Sequence, residues 1–163
     1  MYRKANYLST ETRKTLSMAL IQCHFDYSCS SWYAGVSQKL KNSLQVAQNK
    51  TVRFINNEGP RSSVGQPELA LVGFLNVENR VKQLRLGHAH KIFYNRCPDY
   101  LKENFVKVNE HHGYNTRSSQ FNFVVPKIGG VDYTSFFYNA ITDWNSLPND
   151  IKEVKIMIYL KLK

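Results

Sequence analysis

The sequence predicts a mainly α-helical protein, and three observations carry that expectation. Apolar residues make up 42% of 163 residues, including ten Tyr and nine Phe, so the chain can bury a core and does not have the composition of a disordered one. Its two longest patterned stretches, 37–57 and 77–96, repeat apolar residues at 3.6-residue spacing. Strand-like alternation is confined to Phe121, Phe123 and Val125, closed by Pro126, which leaves room for one or two short strands in the C-terminal third.

Taken in order, Ser9-Thr10-Glu11 reads as a helix start, with a hydroxyl to cap and an acid in the first turn. Leu16, Ala19, Leu20 and Cys23 share one face behind it. A short helix over 28–33 stops at Gly35. Ser37 opens the cleanest helix, whose stripe of Leu40, Leu44, Ala47, Thr51, Phe54 and Ile55 spans about 100°. Asn42, Gln45, Asn49 and Arg53 take its far side, with Lys39, Lys41 and Lys50 toward the flanks. Asn56-Asn57-Glu58-Gly59-Pro60 ends this helix, Gly suiting a left-handed cap and Pro unable to continue it. Pro67 suits the first turn of the next, which ends at Gly73. The longest helix covers 77–96, with Val77, Val81, Leu84, His88 and Ile92 on one stripe and Leu86, Ala89 and Phe93 on another. Apolar on two sides, it is expected to be central. Cys97-Pro98 breaks it, and a short piece ends near Phe105. From Glu110 to Ser119 the chain reads as polar loop, and Gly129-Gly130 as a turn. Thr134 or Ser135 then caps an aromatic helix carrying Phe137, Ala140, Ile141 and Trp144, which stops before Pro148, and Asn149-Asp150 caps a last basic segment. The change of texture divides the expectation into 1–105, helical, and 106–163, a loop, short strand and aromatic helix.

Twenty-two Lys and Arg against twelve Asp and Glu leave a net charge of +10. An excess of this size favours a polyanionic partner, most often nucleic acid, through phosphate neutralisation and counterion release. Its other use is a solvated basic surface. The longest apolar run, 156–160, is far short of a membrane span, and no apolar stretch follows the basic start. The expectation is a cytoplasmic or nuclear protein without a membrane partner. Cys23, Cys29 and Cys97 form no C-x-x-C pair, so neither a disulfide framework nor a zinc knuckle is indicated.

Four segments carry a more specific signal. They are Leu20-Ile21-Gln22-Cys23-His24-Phe25-Asp26-Tyr27 with Trp32 following; Gln48-Asn49-Lys50-Thr51-Val52-Arg53-Phe54-Ile55; Tyr114-Asn115-Thr116-Arg117-Ser118-Ser119; and Trp144-Asn145-Ser146-Leu147-Pro148. In this order and rough spacing they resemble the region after the polymerase palm of reverse transcriptases encoded by non-LTR (LINE-type, Jockey-like) retrotransposons. The resemblance covers nearly the whole chain. It implies a helical, thumb-like bundle that binds template RNA and RNA–DNA duplex alongside the palm and fingers of a parent polyprotein. The last residues, Ile156-Met157-Ile158-Tyr159-Leu160, are more apolar than the family's tail and depart from it.

The chemistry expected of this chain is non-catalytic. Polymerisation needs carboxylates converging on Mg²⁺, and no Asp-Asp pair occurs here. On the resemblance, that pair and its Mg²⁺ belong to a palm upstream, and this chain takes no cofactor, metal or small-molecule substrate of its own. His88 and His90 are two positions apart and cannot share a helix face. His24 with Cys23 and Asp26 lacks an oriented base, and His111-His112 lacks ligands at finger-like spacing. Lys39, Lys41, Lys50 and Arg53 are the candidate phosphate contacts, or else the polar side of an ordinary amphipathic helix. Tyr114, Asn115 and Arg117 sit in polar sequence where packing does not demand them, and could stack on a base or fork onto a phosphate; the alternative is loop closure through an acid. Trp32, Trp144, Asn145, Leu147 and Pro148 are the structural motif residues, with Trp144 expected as a core anchor. The rival expectations are a helical protein–protein interaction module whose basic surface meets an acidic partner, and a decayed copy without function.

Overall fold

A computed structural model describes residues 7–111, 120–127 and 133–154. Ser9 caps α1 (Thr10–Ser17) by accepting from the Thr12 amide at 3.2 Å. The helix continues through a π turn (Met18–Gln22) into α2 (Cys23–Asp26). After α3 (Cys29–Trp32) and a 3₁₀ turn ending at Gly35, α4 (Gln38–Asn56) runs for 19 residues. Asn57, not Gly59, takes the left-handed position that ends it, with φ 57°. Asn tolerates that region better than other side-chain-bearing residues. α5 (Gln66–Val72) has Pro67 in its first turn and stops at Gly73, φ 73°. α6 (Val77–Phe93) closes with Asn95, again left-handed.

Short helices α7 (Asp99–Lys102) and α8 (Val108–His111) follow, the second lying where polar loop is expected to begin. The alternating run over 121–125 makes a single isolated antiparallel bridge, Lys107 to Phe123. Ser135 caps α9 (Phe136–Asn145) by accepting from the Tyr138 amide, and Pro148, not Asn149, precedes the one-turn α10 (Asn149–Lys152). The chain is mainly α. The expectations for 112–119, Gly129-Gly130 and 155–163 lie outside the described residues.

The chain forms two compact units, Met1–Cys29 with Val36–Val81, and Ser30–Gly35 with Lys82–Lys163. The division falls within α6, so the change of texture at Glu110 lies inside the second unit. In the first, Val52, Ile55, Leu69 and Val72 form a small core, with Val64 and Phe74 packed against it. In the second, Leu86, Ala89, Ile92, Phe93, Phe105, Phe123, Ala140, Ile141 and Trp144 make an aromatic-rich one.

Two amphipathic readings turn out rotated. On α4 the buried positions are Gln48, Thr51, Val52, Phe54 and Ile55, while Leu40 and Ala47 face solvent. The reason is polar. Gln48 Nε2 donates to the Leu75 carbonyl at 2.9 Å and Gln45 Oε1 accepts from the Val77 amide at 3.0 Å. These bonds draw the glutamine side of the helix inward and give α6 a partner for an orphan N-terminal amide. On α1 and its π extension, Arg13 and Ser17 are buried, while Leu16, Ala19, Leu20 and Cys23 lie exposed, Leu20 by 58%.

Candidate nucleic-acid interface

α4 presents the basic residues singled out in the sequence, and its geometry separates them. Lys39 and Lys50 are both exposed. They stand about three turns apart, roughly 16 Å along the axis, and within about 20° of one another around it. Asn42, Ser43, Val46 and Ala47 are exposed as well, giving a face that is small, uncharged and flanked by two cations. Lys41 is about 160° round from Lys39 and half-buried, so it does not join this face. Arg53 is half-buried, and its Nε donates to the Ser62 carbonyl at 2.7 Å. It ties the end of α4 to the loop that follows, a task the far-side reading did not anticipate. Tyr114, Asn115 and Arg117 lie outside the described residues. The structure therefore sets Lys39 and Lys50 on one face of α4, about three turns apart, and places Lys41 and Arg53 off that face.

The other motif residues resolve into clamps. Asp26 receives Arg80 bidentately, from Nη2 at 2.8 Å and Nε at 3.1 Å, and also accepts from Gln22 Nε2 at 3.1 Å. A planar guanidinium matched to a carboxylate adds geometric specificity to charge, so the Asp of the His24-Phe25-Asp26-Tyr27 segment fastens α2 to the start of α6. Trp32 is half-buried beside Tyr33, ring centroids 6.0 Å apart.

In the second unit Trp144 is 1% exposed and stacks on Phe93 at 5.3 Å. Its indole N–H donates to the Phe121 carbonyl at 2.7 Å, satisfying the one polar atom such burial would otherwise orphan. Asn145 grips Phe123 from both sides. Its Nδ2 donates to the Phe123 carbonyl at 2.8 Å and its Oδ1 accepts from the Phe123 amide at 3.0 Å. The side-chain amide thus plays the part of a neighbouring strand's peptide group, opposite the backbone pairing that Val106 and Val108 supply. Leu147 packs half-buried against the same core, and Pro148 leads into α10.

Three residues were not legible as contributors from sequence: Lys152, whose Nζ donates to Asn122 Oδ1 and the Asn145 carbonyl; Asp143, which takes Arg85 and Lys82; and His90, buried on α6 with Nε2 donating to the Val154 carbonyl at 2.8 Å. Apart from the Asn145 carbonyl, seven residues from Lys152, each partner is far away in sequence, so local pattern carried no signal for it. Among the described residues no group of three or more His, Cys, Asp or Glu is placed to hold a metal ion, and no helix is long and apolar enough to cross a membrane. No family model, no curated protein and no solved structure matches the chain.

Proposed function

We propose that this chain is a non-catalytic, nucleic-acid-gripping portion of a non-LTR retrotransposon reverse transcriptase, binding template RNA and RNA–DNA duplex while a palm elsewhere in the polyprotein makes the bonds. The observation that carries this reading is the ordered set of four motifs in a chain of net charge +10. Support also comes from where the motif residues sit. Asp26, Gln48, Trp144 and Asn145 each bind segments remote in sequence, positions where residue identity is dictated by architecture. The step from architecture to nucleic acid rests on charge, and on the face of α4 that offers Lys39 and Lys50 without an aromatic between them. Such a face suits phosphate contacts without sequence readout. Polymerisation itself needs a metal held by convergent carboxylates. No bond-making step is assigned to this chain.

Fluorescence anisotropy with a labelled RNA–DNA hybrid tests the reading. If about four to six phosphates are touched, log K falls against log salt with a slope of roughly −3 to −5, and affinity varies little with sequence. A salt-independent affinity, or no binding at low salt, overturns it. Primer extension above a no-protein blank overturns the non-catalytic part.

One observation favours a second reading, a helical protein-interaction module. Leu16, Met18 and Leu20 are exposed on α1 and the π turn, more apolar surface on one short helix than solvation explains. Loss of salt dependence in the hybrid assay would point there.

A further inference from the structure

α10 is one turn long and ends at Lys152, the most deeply buried charge-bearing side chain among the described residues, 1% exposed. Its amine meets two acceptors, Asn122 Oδ1 at 2.8 Å and the Asn145 carbonyl at 3.2 Å. Both are neutral, and among the described residues no carboxylate pairs with it. A neutral amine has two N–H groups to give, and two acceptors satisfy it. An ammonium brings a third N–H and a full charge into a site that compensates neither. Burial accordingly holds the Lys152 amine below the ordinary lysine range. Two further bonds pin the same segment to α6 and the residue just past its end. Tyr94 Oη donates to the Lys152 carbonyl at 2.6 Å, and His90 Nε2 to that of Val154.

We propose that α10 is a proton-linked strap, closed over the 121–123 segment while the Lys152 amine is buried against its two neutral acceptors, and lifting off more readily when that amine is protonated. Once the strap lifts, Lys152 reaches solvent, where the ammonium is the stable form. Opening therefore binds one proton, and falling pH favours the open state. The sign follows from the direction of the shift. The closed-state value lies below that of the free amine, so closure strengthens as pH rises between the two and levels off outside that window. The other titratable groups facing the strap are His90 on α6 and Tyr94 just past its end, and Asp150 and Glu153 at α10 itself, both exposed. Asn122 and Asn145 do not titrate. Asp143, also on α9, is occupied by Arg85 and Lys82. Tyr94 is pushed up, by burial and then by Glu153, and so remains a neutral donor through most of the window.

Hydrogen exchange on the full chain reads the strap directly. The Lys152 and Glu153 amides donate to Pro148 and Asn149, and their protection, corrected for the intrinsic pH dependence of exchange, should rise by up to about tenfold per pH unit on approaching the free-amine value. Lys152→Met, uncharged at every pH, should abolish the slope; Lys152→Gln serves if that variant does not fold. Tyr94→Phe should lower protection at every pH and leave the slope intact. Exchange within α9 distinguishes lifting of the strap from unfolding of the whole unit and should not share the slope. A flat profile in the unmodified chain, a slope that survives Lys152→Met or Lys152→Gln, or an equal slope in α9 overturns the proposal.

Discussion

In the second unit, ring meets ring: Phe93 stacks on Trp144 and meets Phe123 edge-on, and Phe105 reaches Phe123 at 5.1 Å. The first unit has a core of branched aliphatics, with Phe74 packed at its edge, and it also carries polar ties between segments. Gln48 to Leu75, Gln45 to Val77, Arg53 to Ser62 and Arg80 to Asp26 join segments apart in sequence. The difference has energetic content. Burial of a large aromatic contributes several kcal/mol and tolerates small shifts, because dispersion is not directional. A hydrogen bond contributes about 1 kcal/mol net and depends on its geometry. Apart from the two-point grip of Asn145 on Phe123, the second unit should resist perturbation at single polar contacts, while the first should be the more easily loosened at individual links.

The severest test of that contrast is Trp144→Ala. Truncation should cost about 3–5 kcal/mol, enough to unfold a marginally stable unit; thermal melting and hydrogen exchange in α9 report it. A melting temperature left unchanged would break the claim that rings hold this unit. Next comes Asp26→Ala, which takes the bidentate carboxylate away from half-buried Arg80. Hydrogen bonds to charged groups contribute about 1.5–3 kcal/mol, so exchange in α2 and the first turns of α6 should quicken markedly. Gln48→Ala should follow at about 1–2 kcal/mol, by leaving the Leu75 carbonyl without its partner. If Gln48→Leu proves as stable as the original, apolar packing could replace the polar tie and the contrast would be weaker than drawn. The smallest stability effect belongs to Lys39→Ala with Lys50→Ala, within roughly 0.5 kcal/mol per site. The same pair should reduce the salt slope of hybrid binding by about one per lost phosphate contact. Arg53→Ala is the informative companion, because its tie to Ser62 predicts that it costs stability where the lysines do not.

How much of this could be read from the sequence divides along the same line. The longer helices were legible because they write their own period and punctuation, whereas one-turn α8 was not. Ser9 announced its cap, Ser135 was one of two candidate caps beside Thr134, and Pro67 and Gly73 framed α5. Trp144 was legible as a core anchor because its spacing from Phe137 and Ala140 sets them on one face. Which arc of α4 turns inward was not legible. The apolar count favoured Leu40 and Ala47, but Gln48 is drawn in by a carbonyl 27 residues away, and no local pattern encodes that. Leu16 and Leu20 mislead for a related reason: Arg13 and Ser17 occupy the buried side that an apolar moment would assign to them. The charge was legible as a total and not as an arrangement. Counting gives +10, while Lys39 and Lys50 share a face of α4 and Lys41 and Arg53 lie off it.

The grip of Asn145 on Phe123 carries a consequence for the chemical lifetime of the protein. An asparagine followed by serine is prone to lose its amide when the next backbone nitrogen can swing round to attack the side-chain carbonyl. Here the Ser146 amide is held by the Thr142 carbonyl at 3.1 Å, and both ends of the Asn145 amide are occupied, so the folded chain protects the bond. An unfolded excursion removes that protection. Once the amide becomes an acid, an acceptor faces the Phe123 carbonyl where a donor stood, and the chain cannot close on the same contacts. Repeated heating should therefore convert reversible melting into progressive loss, tracked by the mass change at the peptide containing Asn145. Stable mass there alongside lost refolding would place the damage elsewhere.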